Sequence, residues 1–303
     1  MCKLTITRFE RIRANRERQS MYKSLVAALM LFCTTLSYAN EKKLENESTV
    51  FNETFSWQIQ MGLSGYYYDI ILKDVEQVDT IDFINASLLI DFYYKGFFIQ
   101  SNHRRTDTHT LGAEVGYQLI VNDEWELDII SKSYIGGFDP EFIQDDSSRD
   151  IPIIEGLDSR SIGSGVGLRY NRYFENSQLS IDVASLGLSS SVNGWLVEAF
   201  YTQLIPYRNW DIYLNSSITF YAKETMDYYF GIDPHEVTEI RPLYTAKSDI
   251  KVQLEAFFQH PITEKWTFNA GFSYSRYLGD ITDSPIVDQP DASQIMLGVL
   301  YVF

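Results

Sequence analysis

Long stretches of this chain alternate apolar and polar residues with a period of two. Such stretches are longer than an ordinary soluble sheet uses. In Glu264–Leu278 the even positions hold Trp266, Phe268, Ala270, Phe272 and Tyr274, against Thr267, Asn269, Gly271, Ser273 and Ser275. Asp249–His260 sets Ile250, Val252, Leu254, Ala256 and Phe258 against Asp249, Lys251, Gln253, Glu255 and Phe257. Phe55–Tyr67, Ser161–Tyr173 and Trp210–Lys223 read the same way. One-sided alternation is the strand signal, because successive side chains leave opposite faces of a strand. Soluble strands mostly run about five or six residues, which these segments exceed. The pattern predicts an all-β fold, a closed antiparallel transmembrane barrel of about 12 strands, with 10 or 14 also open.

The expected strands are 54–69, 81–94, 96–102, 109–121, 124–135, 160–173, 177–190, 193–205, 209–223, 247–260, 264–278 and 292–303. Short connections, such as Tyr94-Lys95-Gly96, Asn122-Asp123-Glu124 and Glu175-Asn176-Ser177, alternate with longer ones near 70–80, 136–159, 224–246 and 279–291. Short turns at one end and long loops at the other fit an outer-membrane barrel, with the short turns facing the periplasm. Trp125, Trp210 and Trp266 each follow a short turn and are expected to anchor at the membrane–water interface. The final segment, Ile295 to Phe303, carries apolar residues at alternate positions, with Val299, Tyr301 and Phe303 in one register. That ending resembles the signal read by the outer-membrane assembly machinery.

The start of the chain sets the compartment. A basic stretch leads into Leu25-Val26-Ala27-Ala28-Leu29-Met30-Leu31-Phe32, and Ser37-Tyr38-Ala39 follows. This is the layout of a secretory signal peptide, and the apolar run is too short to span a bilayer as a helix. Residues 1–39 are read as basic extension and signal peptide, 40–53 as a short periplasmic segment, and 54–303 as the barrel. The whole chain carries a formal charge of −16. The leader holds seven Lys and Arg and two acids, so the remainder is more acidic, about −21. Such acidity excludes nucleic acid as a partner, since phosphate binding needs clustered cations. Both cysteines, Cys2 and Cys33, leave with the leader.

No nucleophile elbow, zinc-protease helix or phosphate loop is present. The chain is therefore expected to be no enzyme, with no catalytic residue, cofactor or metal. Asp107 and His109 are the pair that a barrel-embedded hydrolase would need. Glu114, Glu126, Asp128, Lys132, Arg169, Asp182, Glu198, Lys251 and Glu255 fall on the polar face. Both signs are mixed there, which favours a salt-bridged interior over a conducting ring. The acidic long loops read as solvated, next to outer-membrane lipid and lipopolysaccharide.

The last third resembles the MipA/OmpV family of outer-membrane proteins. The resemblance rests on Tyr228-Tyr229-Phe230-Gly231-Ile232-Asp233-Pro234-His235-Glu236, Pro242-Leu243-Tyr244, Ile262-Thr263-Glu264-Lys265-Trp266, Tyr274-Ser275-Arg276-Tyr277-Leu278-Gly279-Asp280 and Asp283-Ser284-Pro285-Ile286-Val287. The chain departs from the family where Thr245-Ala246-Lys247-Ser248 replaces a run of small residues and glycines. The resemblance implies an outer-membrane barrel acting as a scaffold between a lytic transglycosylase and a penicillin-binding protein in peptidoglycan remodelling. The alternatives are a narrow solute channel or an adhesin.

Overall fold

The computed structural model describes residues 55–75, 84–101, 112–147, 149–187 and 192–303. Residues 1–39, the expected leader and signal peptide with both cysteines, the 40–53 segment, and His103, Asp107 and His109 lie outside the described residues.

Among the described residues, twelve strands close into a single barrel. They are β1 (Phe55–Tyr68), β2 (Ile84–Tyr94), β3 (Phe97–Ser101), β4 (Ala113–Val121), β5 (Trp125–Ile135), β6 (Gly163–Phe174), β7 (Ser177–Leu186), β8 (Gly194–Tyr207), β9 (Trp210–Tyr221), β10 (Asp249–Pro261), β11 (Trp266–Tyr277) and β12 (Asp291–Val302). Every strand pairs antiparallel with its sequence neighbours, and β1 pairs with β12 to close the ring. Closure satisfies both edges, which an open sheet in lipid cannot do. At the seam Gln60 faces Val302, and the Phe303 N–H donates to the Ile59 carbonyl at 3.1 Å. The β2–β3 turn places Lys95 (φ 48°) and Gly96 (φ 88°) in the left-handed region that a two-residue hairpin requires. A bulge between Gln118 and Ile120 shifts the β4–β5 register by one residue.

The barrel is inside-out relative to a soluble protein. Val115, Ile129, Leu168, Val183, Leu214, Ile218, Leu254, Phe272 and Leu297 point outward and are exposed. Glu114, Asp128, Lys132, Arg169, Asn171, Asp182, Glu198, Asn215, Thr219 and Glu255 point inward and are buried. An apolar wall outside and a polar lumen inside is what a hydrocarbon surround demands. The lumen is narrow enough for side chains to fill much of it. Gly116 makes room for an inward aromatic ring, because a Cβ there would sit 2.2 Å from Phe98 Cζ and 2.7 Å from the Ile129 carbonyl.

The long-loop end differs from the solvated loops that acidity led us to expect. The 136–159 connection contains a helix, α1 (Pro140–Asp146), and the 224–246 connection opens with a second helix, α2 (Lys223–Phe230). Asp139 caps α1 by accepting from the Glu141 and Phe142 N–H groups, and Pro140 starts its first turn. Leu72, Ile151, Ile153, Ile154, Leu157, Met226, Tyr229, Phe230, Ile232, Ile281, Ile286 and Val287 form one buried apolar core across four loops. That core continues into the barrel mouth through Tyr134, Leu186, Leu196, Tyr221 and Tyr277. The Leu72–Val287 bridge joins two of these loops, while Phe138–Arg160 and Ile232–Tyr244 each close one loop on itself. Asp139, Glu141, Asp145, Asp150, Glu155, Asp158, Asp280, Asp283 and Asp288 sit on the outer surface of the cap, whose inner surface is mainly hydrophobic, with Glu236 buried inside it. Net loop charge therefore says little about loop order.

Candidate functional site

The described interior is layered along the barrel axis. At the long-loop end the cap and the upper strands enclose a cavity of about 520 Å³. Its walls include Tyr68, Tyr134, Tyr221, Tyr229 and Phe230, and its polar side carries Lys132, Glu198 and Lys251. Below it, adjacent strands β4 to β8 each contribute one charged side chain to a buried network. Arg169 Nη1 and Nη2 donate to the two oxygens of Glu114 at 2.6 and 2.8 Å. Its Nε and Nη2 donate to the two oxygens of Asp182 at 2.8 and 3.0 Å. Lys132 Nζ bridges Asp182 at 2.9 Å and Glu198 at 2.8 Å. Tyr134 Oη donates to Asp182 at 3.2 Å, and Thr219 Oγ1 to Glu198 at 3.3 Å. The planar guanidinium of Arg169 grips each of its two carboxylates through a pair of donors, a fork that the single ammonium of Lys132 cannot form.

Nearer the short-turn end, Glu126 accepts from Asn171 Nδ2 at 2.8 Å, from Gln118 Nε2 at 2.9 Å and from the Tyr173 hydroxyl. On the opposite wall Asn215 donates to Glu255. The expected mixing of signs in the lumen thus takes the form of ion pairs around Arg169 and Lys132, with Glu126 and Glu255 held by neutral donors.

The motif residues of the 228–246 and 279–287 loops lie in the cap or beside it, whereas Ile262–Trp266 forms the β10–β11 turn at the opposite end. Tyr229 is buried and its hydroxyl donates to the Ser161 carbonyl at 2.8 Å, while the Tyr228 hydroxyl accepts from the Ser161 N–H at 2.9 Å. Gly231 lies so close to Asp227 that a Cβ would fall 2.3 Å from its carbonyl oxygen. Tyr244 donates to the Asp280 carbonyl at 3.1 Å, joining the two motif loops. The Gly279 N–H donates to Asp249 Oδ1 at 2.7 Å, and Ser284 Oγ donates to the Phe230 carbonyl at 2.6 Å. Asp283 ends the 3-10 turn Ile281–Asp283, and Pro285 follows the buried Ser284. Pro234 is exposed at the head of the turn that presents Glu236.

Glu236 is the hub of this cap, a role the local sequence did not reveal. Its oxygens accept from Arg160 Nη2 at 2.8 and 3.0 Å, from the Asp158 N–H at 2.9 Å and from the Asp233 N–H at 2.9 Å. Burial alone would raise its pKa, but the two backbone donors and the Arg160 charge hold it below the usual carboxylate range. Arg241 fastens the same region by donating to the carbonyls of Glu236, Ile153 and Glu155. The exposed His235 pairs with Asp158 at 2.8 Å, and that hydrogen bond raises its pKa. Asp158, His235 and Glu236 bring ligand-type atoms within 4.8 Å of one another. A cation would not suit them, because Arg160 already occupies Glu236.

At the other end, Trp125, Trp210 and Trp266 are the first residues of β5, β9 and β11 and stand on the outward face. Trp210 stacks on His260 at 4.6 Å, and Trp266 meets Tyr301 edge-on at 5.1 Å. Tyr301 also contacts Phe303 at 4.9 Å, and Val299 lies opposite Phe268 and Leu63.

The family model described as MltA-interacting protein MipA matches residues 72–303, well beyond the last third where the sequence resemblance was read. The chain is 24% identical over 181 residues to outer membrane protein Omp26La of Vibrio anguillarum, covering 56% of this chain and 64% of that one. Outer membrane protein OmpV of Vibrio cholerae serotype O1 matches to the same extent. The chain thus spans 64% of the length of these relatives. Among solved structures, the NanC porin is similar with a TM-score of 0.41 and 10% identity, covering 80% of this chain and 98% of that one.

Proposed function

Because this chain belongs to the MltA-interacting protein MipA family and is an outer-membrane β-barrel, we propose that it serves as a non-catalytic scaffold. In this reading it gathers a lytic murein transglycosylase and a penicillin-binding protein at its periplasmic rim. The observation that carries the reading is the shared apolar core of the long-loop cap, continuous with the upper lumen. A barrel with a folded cap and paired interior charges is built for rigidity rather than for bulk flow. A rigid wall in the membrane suits an anchor for soluble partners. The docking surface is the short-turn rim, which carries Lys95, Glu124, Glu175 and Arg208 beside its aromatic ring residues. Immobilised folded barrel should retain a lytic transglycosylase from solution, and retention no greater than on an unrelated barrel of similar size refutes the scaffold.

A second reading, a narrow solute channel, draws on the cavity of about 520 Å³ above the ion pairs. It requires discrete conductance steps in planar bilayers, and a silent bilayer with verified insertion removes it.

A further inference from the structure

We propose that the short-turn end of the lumen is a binding site for a small organic ammonium ion. A separate cavity of about 400 Å³ opens there, lined among others by Asp91, Glu126, Asp128, Tyr93, Phe98 and Tyr173. Asp128 is the lining residue on which the site turns. It stands on the inward face of β5 and is 1% exposed. Its Oδ2 accepts from Asn171 Nδ2 at 3.2 Å, while its buried Oδ1 has no hydrogen-bond partner. A buried carboxylate oxygen without a donor is costly, and the cost is relieved by whatever brings an N–H to it.

No described cation of the wall supplies that donor. Arg169 is the register partner of Asp128 across β5 and β6, yet its guanidinium nitrogens are aimed at Glu114 and Asp182. Lys132 lies two inward positions further along β5 and pairs with Asp182 and Glu198. This wall therefore sets the carboxylates of Glu114, Glu126, Asp128, Asp182 and Glu198 against two cations, and the imbalance falls at the cavity.

The other groups select the kind of cation. A hard metal ion asks for about six or more oxygen ligands. Here Glu126 already receives Asn171, Gln118 and Tyr173, and Asp91 Oδ1 accepts from the Ser101 N–H at 3.0 Å. One open carboxylate oxygen beside Tyr93, Phe98 and Tyr173 fits an ammonium group carried on an apolar body. The aromatic faces receive that body and add cation–π attraction. This site does not rest on the scaffold reading, since binding is measured on the barrel alone.

The test is calorimetric titration of the folded barrel in detergent micelles with 2-phenylethylammonium chloride. Saturable binding is expected, weakened about tenfold or more by Asp128→Asn, because a hydrogen bond to a charged group is lost. Asp91→Asn, which alters a less buried carboxylate on the same cavity, should weaken binding by a smaller factor. Fold is verified for each variant by heat-dependent gel mobility, and Asp91→Asn carries the test if Asp128→Asn fails to fold. The proposal is overturned by the absence of saturable binding, or by an equal affinity for uncharged 2-phenylethanol. It is equally overturned by full displacement of the amine by magnesium at matched ionic strength, or by unchanged affinity in the folded variants.

Discussion

Replacing Arg169 with leucine is the sharpest perturbation of the interior. Arg169 is 1% exposed and donates to two carboxylates, Glu114 at 0% exposure and Asp182 at 1%. Asp182 retains Lys132 at 2.9 Å and Tyr134 at 3.2 Å after the change. Glu114 keeps the hydrogen bond from Gln100 but loses its bidentate cation, and breaking a buried ion pair by removing one partner costs about 3–5 kcal/mol. Arg169→Leu should therefore destabilise the barrel by roughly that amount. Arg169→Lys keeps the charge but cannot form the fork, so it should lie in between. Adding Glu114→Gln to Arg169→Leu should recover part of the loss, because the stranded charge is gone. The assay is urea unfolding in lipid vesicles, followed by tryptophan fluorescence and by gel mobility. A cost below about 1 kcal/mol for Arg169→Leu, the range of a solvated surface pair, would refute the buried-network argument. So would a double variant less stable than the sum of its parts.

Further expectations concern the cap and the seam. Ile286→Ala removes a side chain of 0% exposure and should cost about 2–5 kcal/mol; hydrogen exchange should then rise together across 136–160, 222–246 and 278–290. Faster exchange confined to 278–290 would mean that the loops do not share one core. Glu236 has a folded pKa below its unfolded value, so its stabilisation is present above about pH 4.5 and lost as pH falls through the folded pKa. Exchange of the 158–160 and 233–241 backbone should accelerate on acidification, and Glu236→Gln should abolish that dependence. His235 has the opposite sign: its pairing with Asp158 is fully present below the unfolded value and lost as pH rises through the raised folded value, which NMR titration against His235→Gln can read. Phe303→Ala removes a ring packed on Tyr301 at the seam and should lower the folded fraction in a gel-shift assembly assay; an unchanged fraction ends that role.

Much of the barrel was legible because period two is a local signal that survives over a dozen residues. The segment expected at 264–278 is β11 at Trp266–Tyr277, and 209–223 is β9 at Trp210–Tyr221. The cap was not legible for the complementary reason. The helices α1 and α2 span 7 and 8 residues, too few turns for a helical stripe to stand out. Ile151, Ile153 and Ile154 sit among acids, so composition marked that loop as solvated while its apolar side was being buried. In the lumen, alternation correctly sent Glu114 and Arg169 inward. Their pairing joins residues 55 positions apart, and no local pattern encodes it. Glu236 belonged to a recognisable motif, yet its role depends on Arg160, 76 positions away.

The shared core of the cap also works as a gauge. The four loops that build it are anchored at separate points around the rim, so the spacing of the strands sets the distance their apolar residues must bridge. Inserting one extra hairpin would widen the circumference by about 10 Å, at roughly 4.8 Å per strand. Contacts between separate loops, such as Arg160–Glu236 and Ser284–Phe230, would then be drawn apart at the mouth, even if the sheet itself closed without strain. The size of this barrel is thus fixed twice, once by hydrogen bonding around the wall and once by packing across its top. A barrel of this kind is poorly placed to gain or lose strands by duplication unless its loops change in the same step.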